Sequence, residues 1–441
     1  MNPAASSAGD TPLSVFSGSP SLAELTNSGT AYVVIVRSGA ELTPGALDAI
    51  GHALERFPDA ELLYGDDDTA ARPDFSPVRL RSHDYLGDVV VVRRDILSSG
   101  AAAPAVEPLL LPWALALEVA ARNGRVVHIP EALSQGGERV RPDPAAVTRL
   151  IRGHLDRIGV PAEVVVRADG TADIRYTVDG SPLVSIVIPT RGGSGLLRGS
   201  EHVFVLDALT SVIERSTYRE LEFVVVADEE TPAEVLDQLV RLCGERLHLV
   251  TWSAPFNFAA KMNRGAAVAR GEYLLLLNDD VELISPDWIE RMLGLAQQPG
   301  VGAVGPLLSF EDGTVQHGGH VYRAGEPSHI ALGLPADWDD AIESMRVDRE
   351  VSGVTAACAL VSAADFRSVG GFSTLLPSNY NDVDLCMKLR SRGLDIVWTP
   401  HAHLYHFESR TRIANIVPYE RDALLRRWAS RIQLDPYWPE G

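Results

Sequence analysis

Cysteine is scarce in this chain, and the three residues present, Cys243, Cys358 and Cys386, are far apart in apolar or helical surroundings. An odd number of distant cysteines argues against both a disulfide framework and a zinc cluster. The chain also lacks an apolar run of the roughly 18 to 20 residues that a membrane-spanning helix needs. The first twenty residues have neither a basic start nor an apolar stretch, so no secretion signal is predicted. We expect a cytoplasmic protein that is soluble or at most peripheral, at the inner face of the cell membrane.

Positive charge is also in short supply. The 441 residues include 39 Lys and Arg against 59 Asp and Glu, which gives a formal net charge of −20, and lysine occurs only at Lys261 and Lys388. Binding to nucleic-acid phosphates needs clustered cations, and no basic stripe is present, so nucleic acid is not expected as a partner. The hydrophobic fraction of 46% and the length are enough for two domains with substantial cores.

Strands and helices alternate in the second half of the chain, from Pro182 onward. Strands are predicted at 184–188, 223–227, 247–252, 273–277, 354–361 and 396–399, and helices at 206–215, 232–242, 258–269 and from Asn381 to Gly393. A long loop is predicted over 324–349, and such loops are more often functional than idle. This alternation is typical of an α/β domain with a mostly parallel sheet flanked by helices.

Two adjacent carboxylates follow one of these strands. A run of five apolar residues ends in Asn278, Asp279 and Asp280, and ligands of open α/β sheets bind beyond the carboxyl ends of the strands. Oxygen ligands of this kind suit a Mg²⁺ or Mn²⁺ that also holds a diphosphate. Ser285 and Pro286 are predicted to open the next helix. Taken alone, the carboxylate pair is more typical of a simple turn.

The first 180 residues contain a weaker copy of the same pattern. Residues 32–44 resemble 273–286, and residues 123–130 resemble 392–400, which indicates a duplicated domain. The front copy starts too late to contain the first strands of the sheet.

The front copy has lost the polar residues of the later one. It has Arg37-Ser38-Gly39 in place of Asn278-Asp279-Asp280, and Trp113 opposite Asp382. We interpret it as a truncated, inactive copy kept for packing or for gripping a partner or polymer. Its run of three aspartates, Asp66 to Asp68, is interpreted as a solvated turn.

Six motifs follow one another between Pro182 and Pro439. They are Val184 to Thr190, Pro255 to Phe258 with Asn263, Asn278 to Asp280, Asp312 to Thr314 with Gln316 and His317, Asn381 to Cys386, and Trp398 to Pro400 continuing to His406 and Ser409. In this order they resemble the inverting, GT-A-fold glycosyltransferases of family 2, particularly bacterial enzymes of surface-polysaccharide, O-antigen and rhamnan assembly.

The resemblance implies a donor site at the carboxyl edge of the sheet. Residues expected to bind the nucleotide are Pro189, Thr190, Arg191, Asp228, Asn263 and Asp279. Asp280 would bind a divalent metal, Mg²⁺ or Mn²⁺, that bridges the two phosphates, and His406 would lie near the metal or the diphosphate. Lys261 could neutralise phosphate charge, although a surface position is as well supported. Glu229 and Glu230 depart from the small polar residues usual after Asp228.

The resemblance also implies an acceptor side. Asp382 would be the general base, and His317 and Asn381 would line the acceptor. A base within hydrogen-bond reach of the attacking hydroxyl contributes about 10² to 10⁴ in rate, and a single base without a nucleophilic carboxylate fits one displacement with inversion. For Asp382 the alternative is a residue favoured at the N-terminus of a helix by the helix dipole.

The predicted organisation has five parts: a disordered N-terminus over 1–12, a degenerate glycosyltransferase-like domain over 13–140, a linker over 141–181, the catalytic domain over 182–410, and a C-terminal helix and tail over 411–441. The helix, within 419–434, is amphipathic and basic, so it could touch an anionic membrane. Docking on the catalytic domain is the better supported interpretation.

We therefore expect an inverting glycosyltransferase that moves a sugar from a nucleoside-diphosphate donor to a hydroxyl of a surface glycan or its lipid-linked precursor. dTDP-rhamnose or a UDP-sugar as donor rests on the resemblance alone. The alternative is a non-catalytic glycan-binding or scaffold subunit with a decayed site. A nucleotidyltransferase is disfavoured because Arg191 is the only cation in the first loop before Arg198, and Gly192 to Gly195 lack the G-x-G-x-x-G spacing of a dehydrogenase.

Overall fold

The computed structural model describes residues 4–8, 11–97, 106–137, 140–338, 340, 342–407 and 417–439. The chain forms two compact units. A front unit comprises 1–175, 339–349 and 436–441, and a second unit comprises 176–338 and 350–435. The chain therefore passes between the two units four times, after residues 175, 338, 349 and 435.

The front unit is an α/β structure. Its strands are β1 (Ala4–Ala8), β2 (Thr11–Ser17), β3 (Tyr32–Val36), β4 (Glu41–Leu42), β5 (Leu62–Asp67), β6 (Val89–Arg93), β7 (Val126–Gln135), β8 (Ala162–Val166) and β9 (Ala172–Tyr176). Its helices are α1 (Leu22–Thr26), α2 (Ala46–Arg56), α3 (Pro77–Ser82), α4 (Arg94–Leu97), α5 (Leu111–Ala121) and α6 (Pro144–Arg157). The main sheet has the order β1-β2-β3-β6-β5-β7-β4, and β8 pairs with β9.

Two expectations for the ends of this unit are corrected. Residues 4–8 are not disordered, because their backbone pairs antiparallel with β2. Residues 141–181 are not a plain linker, since they form α6 and the β8–β9 pair. The side chain of Asp143 caps α6 by accepting a hydrogen bond from the backbone N–H of Ala146.

The second unit is also α/β. Its strands are β10 (Val184–Thr190), β11 (Ser194–Leu197), β12 (Ser200–Val203), β13 (Leu221–Asp228), β14 (Leu247–Trp252), β15 (Tyr273–Leu277), β16 (Val281–Leu283), β17 (Val301–Ser309), β18 (Val315–His317), β19 (His320–Arg323), β20 (Glu326–His329), β21 (Arg349–Val351), β22 (Cys358–Ser362) and β23 (Asp395–His406). Its helices are α7 (Phe204–Arg215), α8 (Ala233–Cys243), α9 (Phe258–Val268), α10 (Trp288–Ala296), α11 (Ala363–Ser368), α12 (Asn381–Arg390) and α13 (Pro418–Trp428).

The main sheet of the second unit has the order β14-β13-β10-β15-β22-β17-β23-β16, with β18 beside β17 and β21 beside β23. The first four strands of this order are parallel, and β22 runs antiparallel to both of its neighbours. Every residue of β10 is buried, as expected of a central strand covered on both faces. The parallel strands bring Thr190, Asp228 and Asn278 to the same edge of the sheet.

Helix α9 lies close to this edge because of one glycine. A Cβ atom at Gly265 would lie 2.5 Å from Val187 and 3.0 Å from Val226, on β10 and β13. Only glycine allows the helix to approach the two strands so closely. The side chain of Asn257 caps the helix by accepting a hydrogen bond from the backbone N–H of Ala260 at 2.8 Å. The helix thereby holds Lys261 near the ends of the two strands.

Three predicted elements of this unit differ in the structure. The predicted loop over 324–349 contains β20, which pairs with β19, and its residues 339–349 belong to the front unit. The short strand expected at 396–399 continues to His406 as β23. Helix α10 begins at Trp288 after Asp287 rather than at Pro286, because β16 occupies 281–283 and its chain must turn first.

Six strands of each main sheet share order and relative direction. In the front unit, β2-β3-β6-β5-β7-β4 are related by parallel, antiparallel, antiparallel, parallel and antiparallel pairings. In the second unit, β10-β15-β22-β17-β23-β16 show the same sequence of pairings. This likeness supports the predicted duplication. It also corrects one detail, because β2 occupies the position of β10. Counterparts of β13 and β14, and of the short strands β18 and β21, are missing from the described part of the front sheet.

Two of the three aspartates of the front unit, Asp66 and Asp67, lie in β5 and not on a solvated turn, whereas Asp68 is exposed just beyond the strand. Asp67 is buried and forms an ion pair with Arg72. Asp66 contacts Nε2 of His128 at 2.9 Å, and the other ring nitrogen of His128 lies 3.2 Å from Asp74. The aspartates therefore tie strands and loops of the front unit together.

Candidate active site

A chain of polar contacts connects the ends of β10, β13 and β15. The ammonium of Lys261 donates to Oδ1 of Asp228 at 2.6 Å and to the backbone carbonyl of Thr190 at 3.0 Å. The hydroxyl of Thr190 donates to Oδ2 of Asp279 at 2.6 Å and accepts from the backbone N–H of Gly192 at 2.9 Å. Lys261 is only 2% exposed, so the surface interpretation of this residue is wrong. Its charge fixes Asp228 within the predicted nucleotide site.

The two adjacent carboxylates have opposite electrostatic environments. Burial and the charge of Asp280 raise the pKa of Asp279 to about 7. Burial alone would also raise the pKa of Asp280, but the nearby His406 outweighs it, so the pKa of Asp280 is lowered. Two like charges this close disfavour simultaneous ionisation, so one carboxylate of the pair takes up a proton at a higher pH than the other. Asp280 is therefore the carboxylate that stays ionised.

His406 faces Asp280 from the end of β23. Its Nε2 lies 3.1 Å from Oδ1 of Asp280 and 3.1 Å from the side-chain nitrogen of Asn278. Its Nδ1 lies 2.6 Å from Oε1 of Gln316. Because a carboxamide oxygen only accepts, Nδ1 carries a proton. Nε2 is also protonated when His406 is charged and lowers the pKa of Asp280, and it presents a lone pair to a metal ion once that second proton leaves.

This arrangement fits a divalent cation. Oδ1 of Asp280 is buried and has no hydrogen-bond donor among the described residues other than the His406 ring. A buried carboxylate oxygen without a donor is costly unless a cation faces it. A carboxylate oxygen and an imidazole nitrogen suit Mn²⁺, and an outer partner such as Gln316 orients the imidazole. Asp280 and His406 are the residues that would hold the ion.

Asp382 lies at the start of α12. Its Oδ1 accepts from the backbone N–H of Val383 at 2.8 Å and its Oδ2 from that of Ala356 at 3.3 Å. Its side chain is 21% exposed, and Nε2 of the buried His320 is 3.9 Å away. The carboxylate is thus fixed in orientation yet open to a ligand.

Three histidines cluster beside Asp382. Nδ1 of His317 lies 2.7 Å from Nδ1 of His329, and the ring of His320 is 5.2 Å from both, centre to centre. Although the three rings are close enough for a shared metal ion, Nε2 of His317 accepts the backbone N–H of Thr355 at 3.2 Å. In a neutral ring this places the proton on Nδ1, where it is shared with His329. The contacts therefore favour hydrogen-bonded neutral imidazoles over metal ligands.

Comparison with known proteins identifies the second unit. Residues 185–368 match the family described as Glycosyl transferase family 2. The chain carries a family 2 glycosyltransferase domain. The matched segment contains Thr190, Asp228, Asp279, Asp280 and Gln316, whereas Asp382 and His406 lie beyond its end. The expected family and the α/β class of the GT-A fold are confirmed.

Three relatives are similar to this chain over part of their own length. The chain is 30% identical to the uncharacterized protein y4gI of Sinorhizobium fredii, over 92% of this chain and 48% of that protein. It is 33% identical to the O-antigen biosynthesis protein RfbC of Myxococcus xanthus, over 91% of this chain and 33% of that protein. The chain thus spans half or less of the length of these relatives. It is also 30% identical to the N-acetylglucosaminyl-diphospho-decaprenol L-rhamnosyltransferase of Mycobacterium tuberculosis, over 32% of this chain and 48% of that protein.

The glycosyltransferase unit brings most of the predicted site residues together, with one exception. Asn263 was expected at the nucleotide, but its amide nitrogen donates to the carbonyl of Phe372 at 2.9 Å and its oxygen accepts from the N–H of the same residue at 2.8 Å. Both polar ends of Asn263 therefore hold a loop, and the nucleotide assignment is corrected to a structural one.

The remaining predicted residues of the glycosyltransferase unit lie near the expected edge. Pro189 is buried in β10, and Arg191 is exposed just beyond it. Asn381 is buried as the first residue of α12. The end of the last motif, Glu408 and Ser409, lies outside the described residues.

Two contributors to the glycosyltransferase site were not predicted with their present role. Gln316 appeared only as part of a motif, and Lys261 was left open. The signal for Lys261 was its position three residues after the first residue of a helix that follows a buried strand. No signal in the sequence links Gln316 to His406, because the two are 90 positions apart.

No helix within the described residues is both long and apolar enough to cross a membrane. Helix α13 is docked on the glycosyltransferase unit. Its Leu424 packs with Val383 and Met387 of α12, and the indole nitrogen of Trp428 donates to Asp384 at 2.9 Å. The predicted docking of this helix is confirmed.

Proposed function

We propose that the protein is a metal-assisted, inverting glycosyltransferase that moves a sugar from a nucleoside-diphosphate donor to a hydroxyl of a surface glycan or a lipid-linked precursor. The observation that carries the proposal is the buried oxygen of Asp280 that faces Nε2 of His406, inside a family 2 domain. A decayed transferase would have no reason to keep an oriented imidazole opposite a buried carboxylate.

The donor side is built by Asp228, Lys261 and Thr190. Asp228, held by the Lys261 ammonium, offers its second oxygen to the ring N–H of a nucleotide base. Asp280 and His406 would hold Mg²⁺ or Mn²⁺, which supplies charge neutralisation for the departing diphosphate. Thr190 keeps Asp279 beside this site, where its raised pKa limits the negative charge that meets the diphosphate.

The acceptor side is built around Asp382. As the acceptor oxygen bonds to the anomeric carbon and the bond from that carbon to the phosphate oxygen breaks, the hydroxyl proton passes to Asp382. The backbone N–H groups of Ala356 and Val383 orient the carboxylate for this transfer. A single displacement of this kind inverts the anomeric configuration. His317 and Asn381 border the same region.

The proposed donor rests on the name of one relative, and the proposed compartment rests on the cysteines. The name of the mycobacterial relative supports dTDP-rhamnose as donor and a lipid-linked acceptor, with a UDP-sugar as the other choice. The three cysteines are buried and unpaired, which suits a reducing cytoplasm, and peripheral contact with the inner membrane face would bring the enzyme to such an acceptor.

Calorimetric titration with UDP, dTDP and GDP, each with and without Mn²⁺, tests the proposal. One nucleotide should bind in a metal-dependent manner, and Asp280→Asn should weaken that binding at least tenfold. Asp237→Asn, which changes an exposed carboxylate on α8, is the matched control and should bind as wild type. Failure of all three nucleotides to bind would favour the scaffold alternative, which the exposed Glu229 and Glu230 beside Asp228 support.

A further inference from the structure

The loop that leads into the proposed base is fixed by a buried carboxylate from α13. Oε1 of Glu420 accepts from the backbone N–H of Ser378 at 2.8 Å and from that of Asn379 at 3.0 Å. Its Oε2 accepts from the side-chain nitrogen of Asn379 at 2.7 Å. Glu420 is fully buried. A buried charge with three donors is a specific structural contact and not a surface ion pair.

The loop needs such support because of its backbone. Tyr380, which follows directly, has φ of 61° and ψ of 5°, a left-handed conformation that is strained for a residue with a side chain. Tyr380 is also the residue before α12, and its carbonyl accepts the N–H of Asp384 at 2.9 Å. The conformation of Tyr380 therefore sets where α12 begins and where Asp382 points.

The same C-terminal segment holds the other side of Asp382. Asp384, in the first turn of α12, accepts from Trp428 and forms an ion pair with Arg427. The backbone N–H of Gly325, in the β19–β20 turn, donates to the carbonyl of Ile432 at 2.9 Å. That hairpin carries His320, whose Nε2 is 3.9 Å from Asp382.

We infer that the segment from 417 to 435 is a brace for the proposed base, and that Glu420 is its positioning residue. Glu420 acts through the main chain of Ser378 and Asn379, which keeps Tyr380 in its strained conformation and Asp382 aimed at the acceptor hydroxyl. This inference rests on the proposed function, because it assigns the brace to the group that removes the proton. Donor binding, at Asp228 and Asp280, should not depend on it.

Three variants separate positioning from stability. Glu420→Ala removes all three hydrogen bonds. Glu420→Gln keeps Oε1 as an acceptor, and the amide of Asn379 can rotate to present its oxygen to the new NH₂ group. Leu424→Ala weakens the docking of the same helix, since Leu424 is 1% exposed in the apolar contact with α12, but leaves Glu420 in place. Asp422→Asn, exposed on the same helix, is the neutral control.

The variants are expected to differ in whether they lower kcat or the melting temperature. Glu420→Ala should lower kcat about 10- to 100-fold, as displacements near 1 Å do, with the donor KM and nucleotide affinity within about twofold of wild type. Glu420→Gln should restore most of kcat. Leu424→Ala should lower the melting temperature without a comparable loss of kcat in the folded enzyme. Equal loss of kcat in Glu420→Ala and Leu424→Ala at equal loss of melting temperature would overturn the inference, as would full activity of Glu420→Ala.

Hydrogen exchange of the peptide that contains Ser378 and Asn379 gives a measurement that does not depend on catalytic activity. Exchange there should be faster in Glu420→Ala than in Leu424→Ala, and close to wild type in Glu420→Gln. If Glu420→Ala leaves the exchange rate of this peptide unchanged, the inferred positioning role of Glu420 is wrong, whatever the activity of the variant. If the wild type transfers no sugar while the exchange pattern is as expected, the proposed function fails and the contact stands only as a structural brace.

Discussion

At the scale of single residues, the two proposed catalytic functions depend on different kinds of support. Asp280 and His406 face each other across buried contacts, whereas Asp382 is held by two backbone N–H groups and remains partly exposed. A metal ligand gains from burial because it excludes competing water, and a base must stay within reach of its substrate. Substitutions at these positions should therefore affect different measurements.

Asp382→Asn should abolish transfer and leave donor binding intact. The amide keeps the size of the carboxylate but cannot take a proton, so kcat should fall at least about 10²-fold, while nucleotide affinity in the presence of Mn²⁺ should stay within about twofold of wild type. Radiolabelled transfer together with calorimetry measures both. Transfer at the wild-type rate by this variant would show that Asp382 is not the base.

Gln316 should control metal affinity through His406. Gln316→Leu removes the acceptor at Nδ1, frees the imidazole to rotate or change tautomer, and should weaken Mn²⁺ binding about 10- to 100-fold. Gln316→Glu keeps an acceptor at the same place, so this variant should bind Mn²⁺ more tightly than Gln316→Leu. Titration of Mn²⁺ by electron paramagnetic resonance measures the free ion. Equal affinity in the two variants would show that the contact has no orienting role.

At this scale the sequence predicted residue types better than partners. Asp279, Asp280 and His406 were placed at one site because their motifs stood in a recognisable order. Asn263 was misassigned because an amide can bind a nucleotide or a main chain equally well, and only the fold shows Phe372 beside it. Contacts such as that of Gln316 with His406 arise from β18 and β23 meeting in the sheet, which no local pattern encodes.

At the scale of elements, the front unit depends on one histidine between strand and loop. The ring of His128 in β7 stacks on Tyr64 of β5, with centres 5.0 Å apart, and contacts Asp66 and Asp74. Burial lowers the pKa of His128, but hydrogen bonds to the two carboxylates outweigh it, so the pKa is raised above 6.5. The charged imidazole therefore stabilises this unit.

His128→Gln should destabilise the protein in a pH-dependent way. A raised pKa in the folded state means that the stabilisation is fully present below the unfolded value of about 6.5 and disappears as the pH rises through the folded value. The difference in melting temperature between wild type and variant should be largest near about pH 5.5 and smallest above about pH 8. Calorimetric scans at both values check this. A constant difference would mean that the ring acts only by packing on Tyr64.

Elements were predictable where burial makes a continuous apolar run. Strand β15 begins and ends where the sequence indicated, because a buried strand in the middle of the sheet leaves no polar positions after its first residue. The long strand β23 was underestimated because buried and partly exposed residues alternate in its second half, including His401 and His403. Strand β16 was missed because three residues are too few to show a period.

At the scale of the whole molecule, the front unit includes a segment from the middle of the chain. Within that unit, Arg79 donates to the carbonyl of Ile342 at 2.6 Å and to the hydroxyl of Ser344 at 2.9 Å. Arg349 is fully buried, and its guanidinium lies 5.6 Å from the ring of Trp438. A domain division by sequence position alone could not show this, because the segment is sequentially within the glycosyltransferase half.

Deletion of residues 1–175 should leave this segment without its packing partners. The truncated chain should be cleaved rapidly by trypsin after Arg346, because this side chain loses its partner Asp169 and lies in a loop without the front-unit core around it. The full chain should resist cleavage at this position. Mass spectrometry of the fragments provides the measurement, and a truncated chain as resistant as the full one would show that the segment folds without the front unit.

The four passages of the chain between the units constrain how this protein can be recombined. A single breakpoint near residue 176 would graft a new front unit beside a glycosyltransferase half that still encodes 339–349 and the final residues of the old one. Exchange of a front unit between relatives therefore requires three inherited pieces to match. Chimeras that also carry over the inserted segment and the C-terminal end should therefore express better than those joined at one point.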